Sequence, residues 1–146
     1  MPEPIEITTV ADRTVLRLKS WLPTPPAGLP AQALCIGPGD WLFVSSGASA
    51  PEISGKGLAV VDLSDGLIAL AVSGPAARDV LSKGCGLDLH RFPAGKCTRT
   101  RFAQIPVVLD CLDETPRFEL HVARSYLHYL RAWLTDAALE FGDART

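Results

Sequence analysis

At 146 residues and 15.6 kDa the chain fits one domain, residues 1–146, long enough to bury about two thirds of the surface its unfolded form exposes. With 47% hydrophobic and 21% charged residues it has ordinary globular usage, which excludes a disordered chain and predicts a soluble, folded one. A formal charge of -2 excludes a global positive field able to hold nucleic acid or an anionic membrane, so any such partner needs a local patch. The opening "MPEPIEITT" lacks the basic-then-apolar order of a signal peptide, and no run approaches the 18 apolar residues of a membrane span. A cytoplasmic location is therefore expected. From Trp21 to Pro30, "WLPTPPAGLP" carries four prolines and reads as an irregular, extended connection.

Three hairpins are then predicted in turn. "ALCI" and "WLFVS" flank Gly37 to Asp40, where glycine and aspartate permit a tight reversal. "LAVVDL" and "LIALAV" flank Ser64, Asp65 and Gly66 in the same way. "IPVVLDCL" pairs with "RFELHVA" across Asp113 to Pro116, and there Phe118, Leu120 and Val122 alternate with Glu119 and His121, which predicts one buried and one wet face.

Two helices are signalled. Pro75 suits a first helical position, Ala76, Ala77, Val80 and Leu81 form an apolar stripe, and Gly84 ends the run. In the second, Ser125 can cap a helix in which Leu127, Leu130, Trp133, Leu134, Ala137 and Phe141 recur at helical spacing before Gly142, so that it packs across a sheet. Strand pairs with two helices and no regular strand-helix alternation predict an α+β fold, a layered antiparallel or mixed sheet with helices.

Chemistry centres on "VLSKGCGLDLHRFPAGKCTRTR", Val80 to Arg101, which gathers Cys85, His90, Cys97 and several cations around a glycine-rich bend. Cys85 lies just past the carboxyl end of the first helix, where the helix dipole disfavours a thiolate, and only Lys83 or His90 could activate it. Cys85, His90 and Cys97 also lack the paired spacing of structural zinc sites, so no metal is assigned. Cys35, Cys85, Cys97 and Cys111 form no CxxC pair, and reduced thiols are the expectation. Glu119 with His121, His128, and the aspartates 62, 65 and 88 read as solvated or turn-capping groups. Neither GxxxxGK[ST] nor GxGxxG occurs, so no cofactor-binding residue and no catalytic residue is assigned on this chain.

The order of segments is more informative than any cluster. "GPGDWLFV", "VVDLSDGLIALAVSGPAARDVLSKGCGLDLH", "FPAGKCTRTRFAQIPVVL" and "FELHVARSYLHYLRAWL" together resemble the gamma subunit family of heterotetrameric sarcosine oxidases, over roughly residues 37 to 141. That family is similar to the folate-binding domains of aminomethyltransferases, so the resemblance implies ferredoxin-like units. It further implies a non-catalytic gamma subunit in a complex that oxidatively demethylates sarcosine to glycine. FAD, FMN, NAD, tetrahydrofolate and zinc would then be held by the alpha, beta and delta partners, with folate on alpha, flavin on beta and zinc on delta. The alternative is an independent folate-binding or aminomethyltransferase-like protein, for which "KGC" lacks the following GQE of related iron-sulphur assembly proteins.

Arg91, Lys96, Arg99 and Arg101 make a local excess of positive charge in a chain of net charge -2. With Trp41 and Phe92 as apolar anchors, these residues form the candidate subunit interface, since arginine and aromatic side chains are enriched at interface cores. Nucleic acid and membrane are not expected partners, and a homo-oligomer of the isolated chain stays open.

Overall fold

The run Leu67–Ser73, "LIALAVS", offers no charged side chain with which to face water, so it is stable as a strand only when covered on both sides. In the computed structural model, which describes residues 5–21, 33–46 and 57–142, this strand sits inside the larger of two sheets. The chain divides into two compact units, one built from residues 1–10 and 68–146, the other from residues 11–67.

The first unit carries a five-stranded sheet in the order β1-β6-β9-β8-β7, with β1 at Glu6–Val10, β6 at Leu67–Ser73, β7 at Cys97–Phe102, β8 at Ile105–Asp113 and β9 at Arg117–Ala123. The pairs β1–β6, β7–β8 and β8–β9 are antiparallel. Helices α1 (Ala77–Ser82) and α2 (Leu127–Ala137) share one apolar cluster with this sheet: Val80 and Leu81 from α1 and Leu130 and Leu134 from α2 meet Leu70 and Leu120. Full burial of each such leucine contributes about 1.5–3 kcal/mol.

The second unit is a four-stranded antiparallel sheet in the order β3-β4-β2-β5, with β2 at Arg13–Ser20, β3 at Leu34–Gly37, β4 at Asp40–Ser46 and β5 at Leu58–Asp62. Leu16 faces Phe43 and Leu18 faces Trp41 across the β2–β4 pair, and these four form its core. The β3–β4 reversal turns on Gly39, whose φ of +66° and 2.5 Å approach of an ideal Cβ to the Ser20 carbonyl oxygen admit no side chain.

The hairpins predicted around Gly37 to Asp40 and across Asp113 to Pro116 are present. The second predicted hairpin is not. Its two strands form, but β5 pairs with β2 and β6 pairs with β1 and β9, so they belong to different sheets. The turn between them is closed on itself and on β2: Asp62 accepts from Ser64, the Leu63 amide donates to Val15 O, and the Val15 amide donates to Ser64 Oγ. Both edges of β6 are occupied by strands that can match its apolar faces, leaving none for the exposed Val60 and Val61 strand.

The wet face expected on β9 is also corrected, because Glu119 and His121 are buried, as are Phe118 and Leu120. Ser125 does not cap α2; it lies inside a 3-10 turn, Arg124–Tyr126, that leads into the helix. Gly142 does end the following 3-10 turn, at φ 110°. The Trp21 to Pro30 connection lies outside the described residues except for Trp21.

Candidate interaction surface

The bend after α1 is held together by a side chain that the sequence reading passed over. Arg78, on the half-buried side of α1, donates from Nε to Leu89 O at 2.9 Å and from Nη2 to Phe92 O at 3.1 Å and Glu114 Oε2 at 3.0 Å. Its guanidinium also lies 5.4 Å from the Phe118 ring centre. One fork thus ties the helix, the bend and the β8–β9 turn. The available signal was a lone cation in "AARDVL", between apolar positions of a short helix.

Around Cys85 the two groups able to activate a thiol are engaged elsewhere. Lys83 donates to Ala137 O at 2.8 Å, pairs with Glu140 and lies over the Phe141 ring at 5.1 Å. His90 Nε2 is 3.1 Å from Asp79 Oδ1. Cys85 Sγ itself points back to the Leu81 carbonyl at 3.7 Å, at the negative end of α1. Burial raises the pKa of the Cys111 thiol, so that it too is a poor nucleophile. All four cysteines are free, and among the described residues no three metal-ligating side chains are gathered.

The carboxylates divide into turn and interior groups. Asp62 and Asp113 titrate below the usual carboxylate range because they accept hydrogen bonds from Ser64 and Thr115 in their turns. Asp110 and Glu119 are opposed across β8 and β9, both buried, with His121 Nε2 3.9 Å from Glu119 Oε1. These three occupy the sheet face away from Leu109 and Leu120, a polar interior that the alternation of β9 does not announce. His128 is exposed on α2.

The predicted interface residues fall into two groups. Arg91, Lys96, Arg99 and Arg101 are exposed. Arg99 faces Val108 and Arg101 faces Pro106 across the β7–β8 pair, so both arginines share one side of β7, the last strand of its sheet. Arg91 Nε is 3.4 Å from Asp88 Oδ2, and Lys96 Nζ lies 5.3 Å from the Phe92 ring centre. Phe92 and Trp41, by contrast, are only 5% and 8% exposed and belong to different units. Phe92 packs into the helix-covered core and supports Lys96 from beneath, while Trp41 packs with Leu18 in the smaller sheet.

Where β7 turns into β8, Ala103 and Gln104 take φ values of 48° and 72°. Two successive left-handed residues make the tight reversal that matches strand twist, yet that reversal favours Asn-Gly, and no turn signal marks it in the sequence. Three hydrogen bonds hold it: Ala103 N to Gly84 O at 2.9 Å, Tyr129 Oη to Ala103 O at 2.8 Å and Arg101 Nη2 to Gln104 O at 2.6 Å.

A protein-family model described as "Sarcosine oxidase, gamma subunit family" matches residues 34–140. A sarcosine oxidase subunit gamma from Arthrobacter sp is 34% identical over 116 residues, 74% of this chain and 57% of that protein. The protein of the same name from Corynebacterium sp. (strain P-1) is 40% identical over 84 residues, 56% of this chain and 41% of that protein. The chain thus spans about half the length of the curated relatives it matches. A chain of the heterotetrameric sarcosine oxidase from Corynebacterium sp. U-96, solved with pyrrole 2-carboxylate, shares the fold with a TM-score of 0.80 at 24% identity, over 100% of this chain and 90% of that one.

Proposed function

Because the chain belongs to the sarcosine oxidase gamma subunit family, we propose that it serves as the non-catalytic gamma-type subunit of a heterotetrameric, flavin-dependent sarcosine oxidase. The observation that carries this reading is the family match across both units of the chain. The bend around Cys85 supports it, since Arg78, Lys83 and His90 are occupied in holding architecture. In this reading alpha, beta and delta chains supply folate handling, flavin and nicotinamide chemistry and zinc, and the cytoplasm houses the complex. No helix among the described residues is long and apolar enough to cross a membrane. Arg91, Lys96, Arg99 and Arg101 form the docking surface, with Phe92 packed beneath Lys96 and Trp41 stiffening its own sheet.

Expression of the chain alone and together with the three partner chains tests the proposal. The isolated chain should be colourless and oxidise no sarcosine, whereas the co-expressed set should co-purify and turn sarcosine over. Arg99→Glu/Arg101→Glu should reduce co-purification and oxidase yield while leaving the chain folded. Stoichiometric flavin or methyl-transfer activity in the isolated chain would overturn the subunit reading in favour of an independent enzyme.

A further inference from the structure

The β7–β8 tip and the start of α2 form one rigid, exposed surface. Tyr129, on α2, clamps the Ala103 carbonyl; Gly84 clamps the Ala103 amide; Arg101 clamps the Gln104 carbonyl. A turn whose two central residues, neither of them glycine, both have positive φ persists only where its surroundings over-determine it, and such strain gathers at functional contacts. Tyr129 stays 47% accessible although its hydroxyl is tied to the tip, and Tyr126, three positions earlier at the start of α2, is 39% accessible. The two segments that build it carry charge of one sign. Neither residues 89–109 nor residues 120–135 contain an aspartate or glutamate, while Arg101 lies on β7 at the tip.

We infer that this surface, Arg101, Gln104, Tyr126 and Tyr129, receives a carboxylate-bearing segment of a partner subunit. The inference rests on the subunit reading above and adds the point of contact and the chemistry of the partner. Arg101 uses one N–H on the Gln104 carbonyl and has further donors in its fork, a geometry suited to a carboxylate. Rigid tyrosines bury area at low entropic cost, and paired with arginine they have the composition of an interface hot spot. The same positive edge repels a second copy of this chain, so it selects an acidic partner over self-pairing. A chain of net charge -2 makes a protein the better fit than nucleic acid.

The test places opposite charges at the tip. Gln104→Glu keeps side-chain length and Gln104→Lys adds one atom; both leave the main-chain carbonyl of residue 104 in place, and thermal melts of each isolated chain confirm folding. In pull-downs from the co-expressed complex, Gln104→Glu should weaken partner binding by about tenfold or more, with the loss shrinking in high salt. Gln104→Lys should bind as well as wild type or better. Two unchanged variants, or two variants weakened equally, overturn the inference while leaving the subunit reading intact. Failure of the wild-type chain itself to assemble overturns that reading, and this inference with it.

Discussion

An ideal Cβ built on Gly84 lies 2.4–2.7 Å from three atoms of the Phe102 ring, and Phe102 is fully buried with Trp133 stacked edge-on at 5.0 Å. The ring has nowhere to retreat. Gly84→Ala is therefore expected to destabilise the chain by about 1–3 kcal/mol, in the manner of an overpacked core. Gly86→Ala, two residues on, meets nothing within 4 Å and should lie within about 0.5 kcal/mol of wild type. Urea unfolding of the two variants side by side checks the contrast; equal losses would mean that the Phe102 ring shifts to admit the methyl group. The sequence marked Gly84 as a stop, but its role comes from a ring eighteen positions later (102 − 84), which local pattern cannot show. Arg78 was illegible for the same reason: its three acceptors belong to residues 89, 92 and 114. The placing of Cys85 past the helix end needed only local logic, and Sγ does lie beside the Leu81 carbonyl.

Elements were legible where one face of a strand or helix meets water. Helix α2 shows this well, since Leu130 and Leu134 are fully buried and His128 faces out at the spacing its sequence sets. Strand β9 shows the opposite case: alternation of Glu119 and His121 with apolar residues reads as a wet face, yet both faces are covered. Binary pattern reports polarity, and a polar interior imitates solvent. The pairing of β5 with β6 failed because a turn signal says that the chain reverses, not which sheet it enters. The β7–β8 reversal went unread because Ala103 and Gln104 lack turn chemistry. Replacing the pair by Asn-Gly should relieve its two positive φ angles and stabilise the isolated chain by roughly 1 kcal/mol, seen as a higher melting temperature. A lower melting temperature would show that the Ala103 and Gln104 side chains contribute more than the strain removes.

At the scale of the whole molecule, residues 1–10 belong to the same unit as residues 68–146, with residues 11–67 set between them in sequence. Composition correctly indicated a chain with a real core, and segment order identified the family; neither could show that the first strand completes a sheet built from the far end. Ile5 and Ile7 are fully buried in that sheet's core, and β1 covers the edge of β6 from Glu6↔Ser73 to Val10↔Ala69. Deleting residues 1–10 should remove about 2–5 kcal/mol for each isoleucine and open an apolar edge. Thermal melts and size-exclusion chromatography should then show a lower transition and larger species. A monomer of wild-type stability would mean that β6 needs no neighbour on that side.

The β1–β6 pairing also sets a timetable. Val10 and Ala69 are 59 positions apart (69 − 10), so at about 5–20 residues per second a ribosome delivers the partner strand roughly 3–12 s after the first one. For that interval the isoleucines of the nascent chain have no sheet to enter. Slow codons between positions 11 and 67 would lengthen the wait, and rapid decoding of the same stretch, or a chaperone at the exit tunnel, would shorten or shelter it.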